Sequence, residues 1–130
     1  MTRLTLVMAI VAVLAACGGN GRPTTGGLFN KKEIPLDNYT AEQIFGRGEF
    51  ELDNGNASEA AYYFSEIERL YPYSDWARRA LIMQAFSYHS DKDYPNSRSA
   101  AQRFIDFYPD DDDAAYAQYL LALSYYDQID

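Results

Sequence analysis

The chain has 130 residues, one cysteine and a formal net charge of -8, with 48% hydrophobic and 15% aromatic residues, including twelve tyrosines against one tryptophan. A chain this acidic, with no cluster of Lys and Arg, is a poor match for nucleic acid, whose phosphates call for such clusters. One cysteine excludes an intrachain disulfide and a cysteine-based metal cluster.

Residues 1–16 read as a signal peptide. Arg3 supplies the positive start, and Leu4 to Val13 is apolar except for Thr5, the length of a signal-peptide core and short of the roughly 20 apolar residues a spanning helix needs. The run closes on Leu14-Ala15-Ala16-Cys17. Small residues before a cleavage point, followed by a thiol at the first mature position, resemble a bacterial lipobox. The resemblance implies a diacylglycerol on Cys17, cleavage before it and acylation of the new amine. Several acyl chains make a durable anchor, since each buried methylene contributes about 0.8 kcal/mol. Position 18 is glycine, not aspartate, which by resemblance to Gram-negative lipoproteins implies export to the outer membrane.

The lipidated cysteine and a tether are expected over residues 17–38. Gly18, Gly19, Gly21, Gly26 and Gly27, with Pro23, dominate its first part, and such a composition buries too little apolar surface to order itself. Lys31 and Lys32 read as solvated linker residues.

Residues 39–130 carry the pattern of helical hairpins. Thr40 to Gln43 is spaced as a capping box, starting a helix that runs to about Leu52. Asp53-Asn54-Gly55-Asn56 is turn chemistry, with Asn56 expected to cap a second helix that ends at Tyr71 before Pro72. The plan recurs: a third helix follows Ser74 and ends near Ser90, Asp91-Lys92-Asp93 turns the chain, and Pro95 opens a fourth helix that ends at Tyr108 before Pro109. A fifth begins near Ala114, behind Asp110 to Asp113, whose charges favour a helix amino terminus.

The period is 37 residues: Leu70-Tyr71-Pro72 matches Phe107-Tyr108-Pro109, and Ala85-Phe86-Ser87-Tyr88 matches Ala122-Leu123-Ser124-Tyr125. A period of this size with a helical hairpin in each unit indicates a stacked solenoid. The first unit resembles a tetratricopeptide repeat, with Gly48, Ala60, Phe64 and Pro72 at its small, alanine, aromatic and proline positions. Gly48 and Ala60 let the paired helices approach and Phe64 fills the space beside them. The second unit departs from the pattern, with Ala85, Ser97 and Ala101 at the glycine, alanine and aromatic positions. The expected fold is all-α: two complete repeats plus the first helix of a third. That helix is apolar or aromatic on most sides, as though a partner were missing, so the sequence reads as truncated or completed by another chain.

Lipobox, glycine-rich tether and repeats carrying Arg69-Leu70-Tyr71-Pro72-Tyr73-Ser74 and Arg103-Phe104-Ile105-Asp106-Phe107-Tyr108-Pro109 together resemble the BamD (ComL, YfiO) family of the outer-membrane β-barrel assembly machinery. The resemblance implies a lipid-anchored scaffold on the periplasmic face of the outer membrane. Its partners would be BamA, other assembly subunits and unfolded β-barrel proteins, with amino-terminal repeats that receive those substrates. Mapped onto the repeat, Phe45, Glu49, Arg79, Ile82, Phe86, Tyr116, Tyr119, Leu123 and Tyr126 point to a groove suited to an extended peptide with aromatic side chains and a free carboxylate. Arg79 is the candidate for the carboxylate, because its fork makes paired charge-assisted hydrogen bonds.

The alternative is another periplasmic repeat scaffold, TolA-associated or peptidoglycan-linked. Catalysis lacks parts: His89 is the only histidine, its place near a helix end needs no more than a dipole role, and Cys17 is committed to lipid. Glu49 and Glu51 point apart on one helix, and Gly46-Arg47-Gly48 follows no strand and is no phosphate loop. No metal or cofactor is expected beyond the covalent lipid.

Overall fold

A computed structural model describes residues 35–129. The expected signal peptide, Cys17 and most of the expected tether lie outside them. The described residues hold five α-helices and no strand: α1 (Ala41–Asp53), α2 (Ala57–Leu70), α3 (Asp75–Ser90), α4 (Tyr94–Phe107) and α5 (Ala114–Tyr126), preceded by one 3-10 turn at Leu36–Asn38. None is long and apolar enough to cross a membrane.

Local chemistry sets the boundaries. At α1 the capping box forms: the Gln43 amide donates to Thr40 Oγ1 at 3.2 Å, and the Thr40 amide donates to Gln43 Oε1 at 2.9 Å. Each bond satisfies a donor the helix cannot. Ser74 does the same for α3, accepting from the Ala77 amide at 3.1 Å. Asn56 holds the cap position of α2 without capping it. Its Nδ2 donates to Glu51 Oε2 at 2.7 Å, a charge-assisted bond that turns the amide away from the helix. The two helices that end before proline end alike: Tyr71 and Tyr108 adopt φ -132° with ψ 51° and 54°.

Each helix packs on the next, and α1–α3 and α3–α5 also touch. The odd-numbered helices therefore form one side of the domain, with α2 and α4 behind. This is the two-layer order expected of stacked hairpins.

The core forms two clusters that meet within α3, between Ala80 and Leu81. Ile44, Phe45, Ala60, Phe64 and Ile67 of the first hairpin pack with Ala77 and Ala80 of α3, and Leu81, Ile82 and Ala85 of α3 pack with Ala100, Ala101 and Phe104 of α4 and Ala117 and Leu120 of α5. A β-carbon at Gly48 would stand 2.7 Å from ring carbons of Phe64, so the glycine is what admits the phenyl ring against α1. In the second unit Ala85 and Ala101 replace that pair, and both are fully buried: the methyl gained on one helix accompanies the ring lost on the other. Ser97, at the alanine position, is also fully buried. Its hydroxyl donates to the Ala85 carbonyl at 2.9 Å and accepts from the Ser124 hydroxyl at 2.9 Å, so no polar atom is left unpaired.

Two arginines join the repeats. Arg103 on α4 donates to Glu68 on α2 at 2.9 and 3.2 Å and to Gln84 on α3 at 3.0 Å. Arg78 on α3 reaches forward to Asp111 at 3.0 Å and Asp113 at 3.7 Å. Two of the four aspartates before α5 thus share one positive charge from within the fold.

Candidate functional site

On α3, Trp76, Arg79, Met83 and Phe86 recur at helical spacing and are exposed or half-buried, while Ala77, Ala80, Leu81, Gln84 and Ala85 are buried. The stripe is centred on Arg79. Its guanidinium carbon lies 4.5 Å from the centroid of the Trp76 ring and 4.9 Å from that of Phe45. Those rings are 5.1 Å apart, and Phe45 meets Phe64 edge-on at 5.1 Å. The rings hold the cation by their electron-rich faces. Among the described residues Arg79 makes no ion pair, whereas its neighbour Arg78 takes the aspartates. A guanidinium held over two rings without a carboxylate partner keeps its donors for an incoming anion.

On α5, Tyr116 and Tyr119 stack with ring centroids 6.2 Å apart and an interplanar angle of 26°; both are exposed, as is Tyr126, and Leu123 is half-buried. Burial, and after it the neighbouring Tyr119, holds the Tyr116 phenol above the ordinary tyrosine range, so at neutral pH its hydroxyl is a donor. Glu49 is exposed on α1 and has no cationic partner among the described residues.

Two of the expected groove residues belong elsewhere. Phe45 and Ile82 are only 3% and 7% exposed and sit in the two cores. Phe45 still serves the surface indirectly, as the lower support of Arg79. Ile82 is one residue off the exposed stripe and belongs to the second cluster. Trp76 and Met83 complete the stripe and were not anticipated. Helix α3 starts at Asp75, as expected from Ser74, whereas the 37-residue counterpart of the first residue of α1, Ala41, is Arg78, so Trp76 falls on a turn of helix that α1 lacks. The chain's single tryptophan, three residues before the expected anion-binding arginine, was the available signal. His89 likewise does more than face a helix end: Nε2 lies 3.0 Å from Asp127 Oδ2 and the ring meets Tyr94 edge-on.

Residues 37–130 match the family model described as YfiO, outer membrane lipoprotein. The chain belongs to the YfiO family. Curated YfiO relatives carry the name outer membrane protein assembly factor BamD. The one from Caulobacter vibrioides is 36% identical over 122 residues, covering 94% of this chain and 39% of the relative. The one from Rickettsia prowazekii is 32% identical over 101 residues, covering 78% and 40%, and that from Neisseria meningitidis serogroup A is 24% identical over 123 residues, covering 95% and 44%. This YfiO chain therefore spans about two fifths of the length of the relatives it matches.

Proposed function

We propose that the repeats serve outer-membrane protein assembly by receiving unfolded β-barrel chains, whose extended segments lie along the α1, α3 and α5 side with an aromatic residue near Phe86, Tyr116 and Tyr119 and a terminal carboxylate at Arg79. The observation that carries this reading is the Arg79 guanidinium, laid on Trp76 and Phe45 with no carboxylate of its own among the described residues. The tyrosines add contact area at low entropic cost, each with a hydroxyl for a peptide backbone. In this reading acyl chains on Cys17 hold the domain at the periplasmic face of the outer membrane, and BamA and the other subunits of the machinery take the substrate onward. Membership of the YfiO outer membrane lipoprotein family and the name that the Caulobacter relative carries support the assembly role.

The test is binding of synthetic peptides ending in a β-barrel carboxy-terminal segment, measured by fluorescence anisotropy with and without carboxy-terminal amidation. Arg79→Ala is expected to weaken binding about tenfold, the equivalent of one charge-assisted hydrogen bond, and to abolish the difference between acid and amide. Undiminished binding by the double variant Phe86→Ala with Arg79→Ala would overturn the proposal.

A further inference from the structure

Helix α1 contains two glycines, and the structure accounts for one. Gly48 faces the Phe64 ring, whereas a β-carbon at Gly46 would have nothing within 4 Å. Glycine inside a helix is unfavourable relative to alanine because it loses more backbone freedom on folding. Nothing within the described fold requires it at position 46.

Position 46 is also the centre of the exposed face. On a helix turning about 100° per residue, Glu42, Glu49, Phe50 and Asp53 all fall within about 60° of Gly46, and the buried Ile44 and Gly48 lie opposite. All four are on the surface, and Phe50 is 64% exposed one turn beyond the glycine. Glu42, Glu49 and Asp53 make no ion pair among the described residues. Arg47, the nearest cation on the helix, lies to the flank over the Tyr39 ring at 4.8 Å. The face is thus a gap where a backbone can come close, an aromatic side chain beside it, and a border of one sign of charge.

We propose that this outer face of α1 docks a basic amphipathic helix of another protein. Gly46 is its point of closest approach, Phe50 the apolar contact, and Glu42, Glu49 and Asp53 the partners of its lysines or arginines. Helices approach most closely over small residues, and the seven-residue spacing of Glu42 and Glu49 matches two turns of a facing helix. Opposite charge sets register and suppresses wrong partners. This surface lies on the first helix of the solenoid; it shares Glu49 with the expected groove but includes neither Arg79 nor the α5 tyrosines, and its test does not depend on the peptide-receiving role.

The probe is a synthetic, amidated helical peptide of alanine and leucine with lysines seven residues apart, long enough to be helical at about 18 residues. Its binding to the purified chain is read by fluorescence anisotropy in moderate salt. Gly46→Leu and Phe50→Ser are each expected to weaken it at least tenfold without changing net charge. Gly46→Ala should raise the melting temperature and yet weaken binding, two effects that a purely structural glycine would not combine. A scrambled peptide of equal charge should bind at least tenfold more weakly, and Asp110→Asn with Asp112→Asn should leave binding unchanged. Equal binding by Gly46→Leu, or by the scrambled peptide, would overturn the proposal. So would a self-association in sedimentation equilibrium that Gly46→Leu abolishes, because the occupant would then be a second copy of this chain.

Discussion

Gly55 and Lys92 occupy the same place in successive hairpin turns, 37 residues apart, and both have positive φ, 79° and 63°. Glycine takes that conformation freely, whereas a side chain there costs about 1–2 kcal/mol. Lys92→Gly removes the strain and returns part of the gain as unfolded-chain entropy. The expected outcome is stability equal to or higher than the parent by up to about 1 kcal/mol, and Gly55→Ala should lower it by about 1 kcal/mol. Urea midpoints at constant slope measure both.

The Gly48–Phe64 contact predicts a strongly coupled pair. Gly48→Ala places a methyl 2.7 Å from a fully buried ring and is expected to destabilise by about 1–3 kcal/mol through overpacking. Phe64→Ala alone leaves a cavity and costs about 3–5 kcal/mol. Together they recreate the Ala85–Ala101 combination of the second repeat, so the double variant should lose less than the sum. A double-mutant cycle by chemical denaturation reads the difference; strict additivity would mean that the two helices do not close on one another at this point.

Arg103→Ala should cost more than Arg78→Ala. The first strands the Gln84 carbonyl oxygen, on a residue only 4% exposed, and a buried acceptor left unpaired costs about 1–3 kcal/mol. The second breaks a pair that water reaches on both sides, worth about 0–1 kcal/mol and weaker in salt. Thermal melts at low and high ionic strength should show salt sensitivity for the parent relative to Arg78→Ala, and for Arg103→Ala a loss of which only the part from the partly exposed Glu68 pair shrinks in salt.

The Tyr116 phenol titrates above the ordinary tyrosine value of 10.0. A group whose folded pKa is raised contributes stability that is complete below the unfolded pKa and disappears as pH rises through the folded one. The contribution is therefore intact at neutral pH and fades only in alkali, above pH 10. Absorbance titration of Tyr116→Phe against the parent should remove a late-titrating phenol. Tyr119→Phe should make Tyr116 titrate earlier, since the neighbouring phenol is the second cause of its shift after burial.

Much of this architecture was legible in the residues. Thr40, Ser74 and the two Tyr-Pro pairs mark helix ends through local hydrogen bonding and proline geometry, which depend on neighbours in sequence alone. The resemblance of the first unit to a tetratricopeptide repeat also located Gly48, Ala60 and Phe64 against one another. Periodicity could not supply the relations between helices. Whether Phe45 is core or groove depends on where Trp76 stands, and Trp76 belongs to an added turn of α3 with no counterpart in α1. The Arg103 link among three helices and the Ser97–Ser124 bond join residues far apart in sequence, and their partners are set by how the hairpins stack. Asn56 misled for a local reason, since a carboxylate five residues earlier drew its amide away from the cap.

The Tyr71 hydroxyl donates a hydrogen bond to the Tyr39 carbonyl, while Leu36 and Tyr39 pack on the first core cluster. Any pull arriving along the backbone from before Pro35 is therefore met at the junction of α2 with α3 as well as at the first turn of α1. The start of α1 is thereby tied to the end of α2, so that α1 does not stand alone at its amino terminus. A chain held from its amino-terminal side gains in mechanical resistance what that single phenol adds, and Tyr71→Phe is where the difference would be felt first under force.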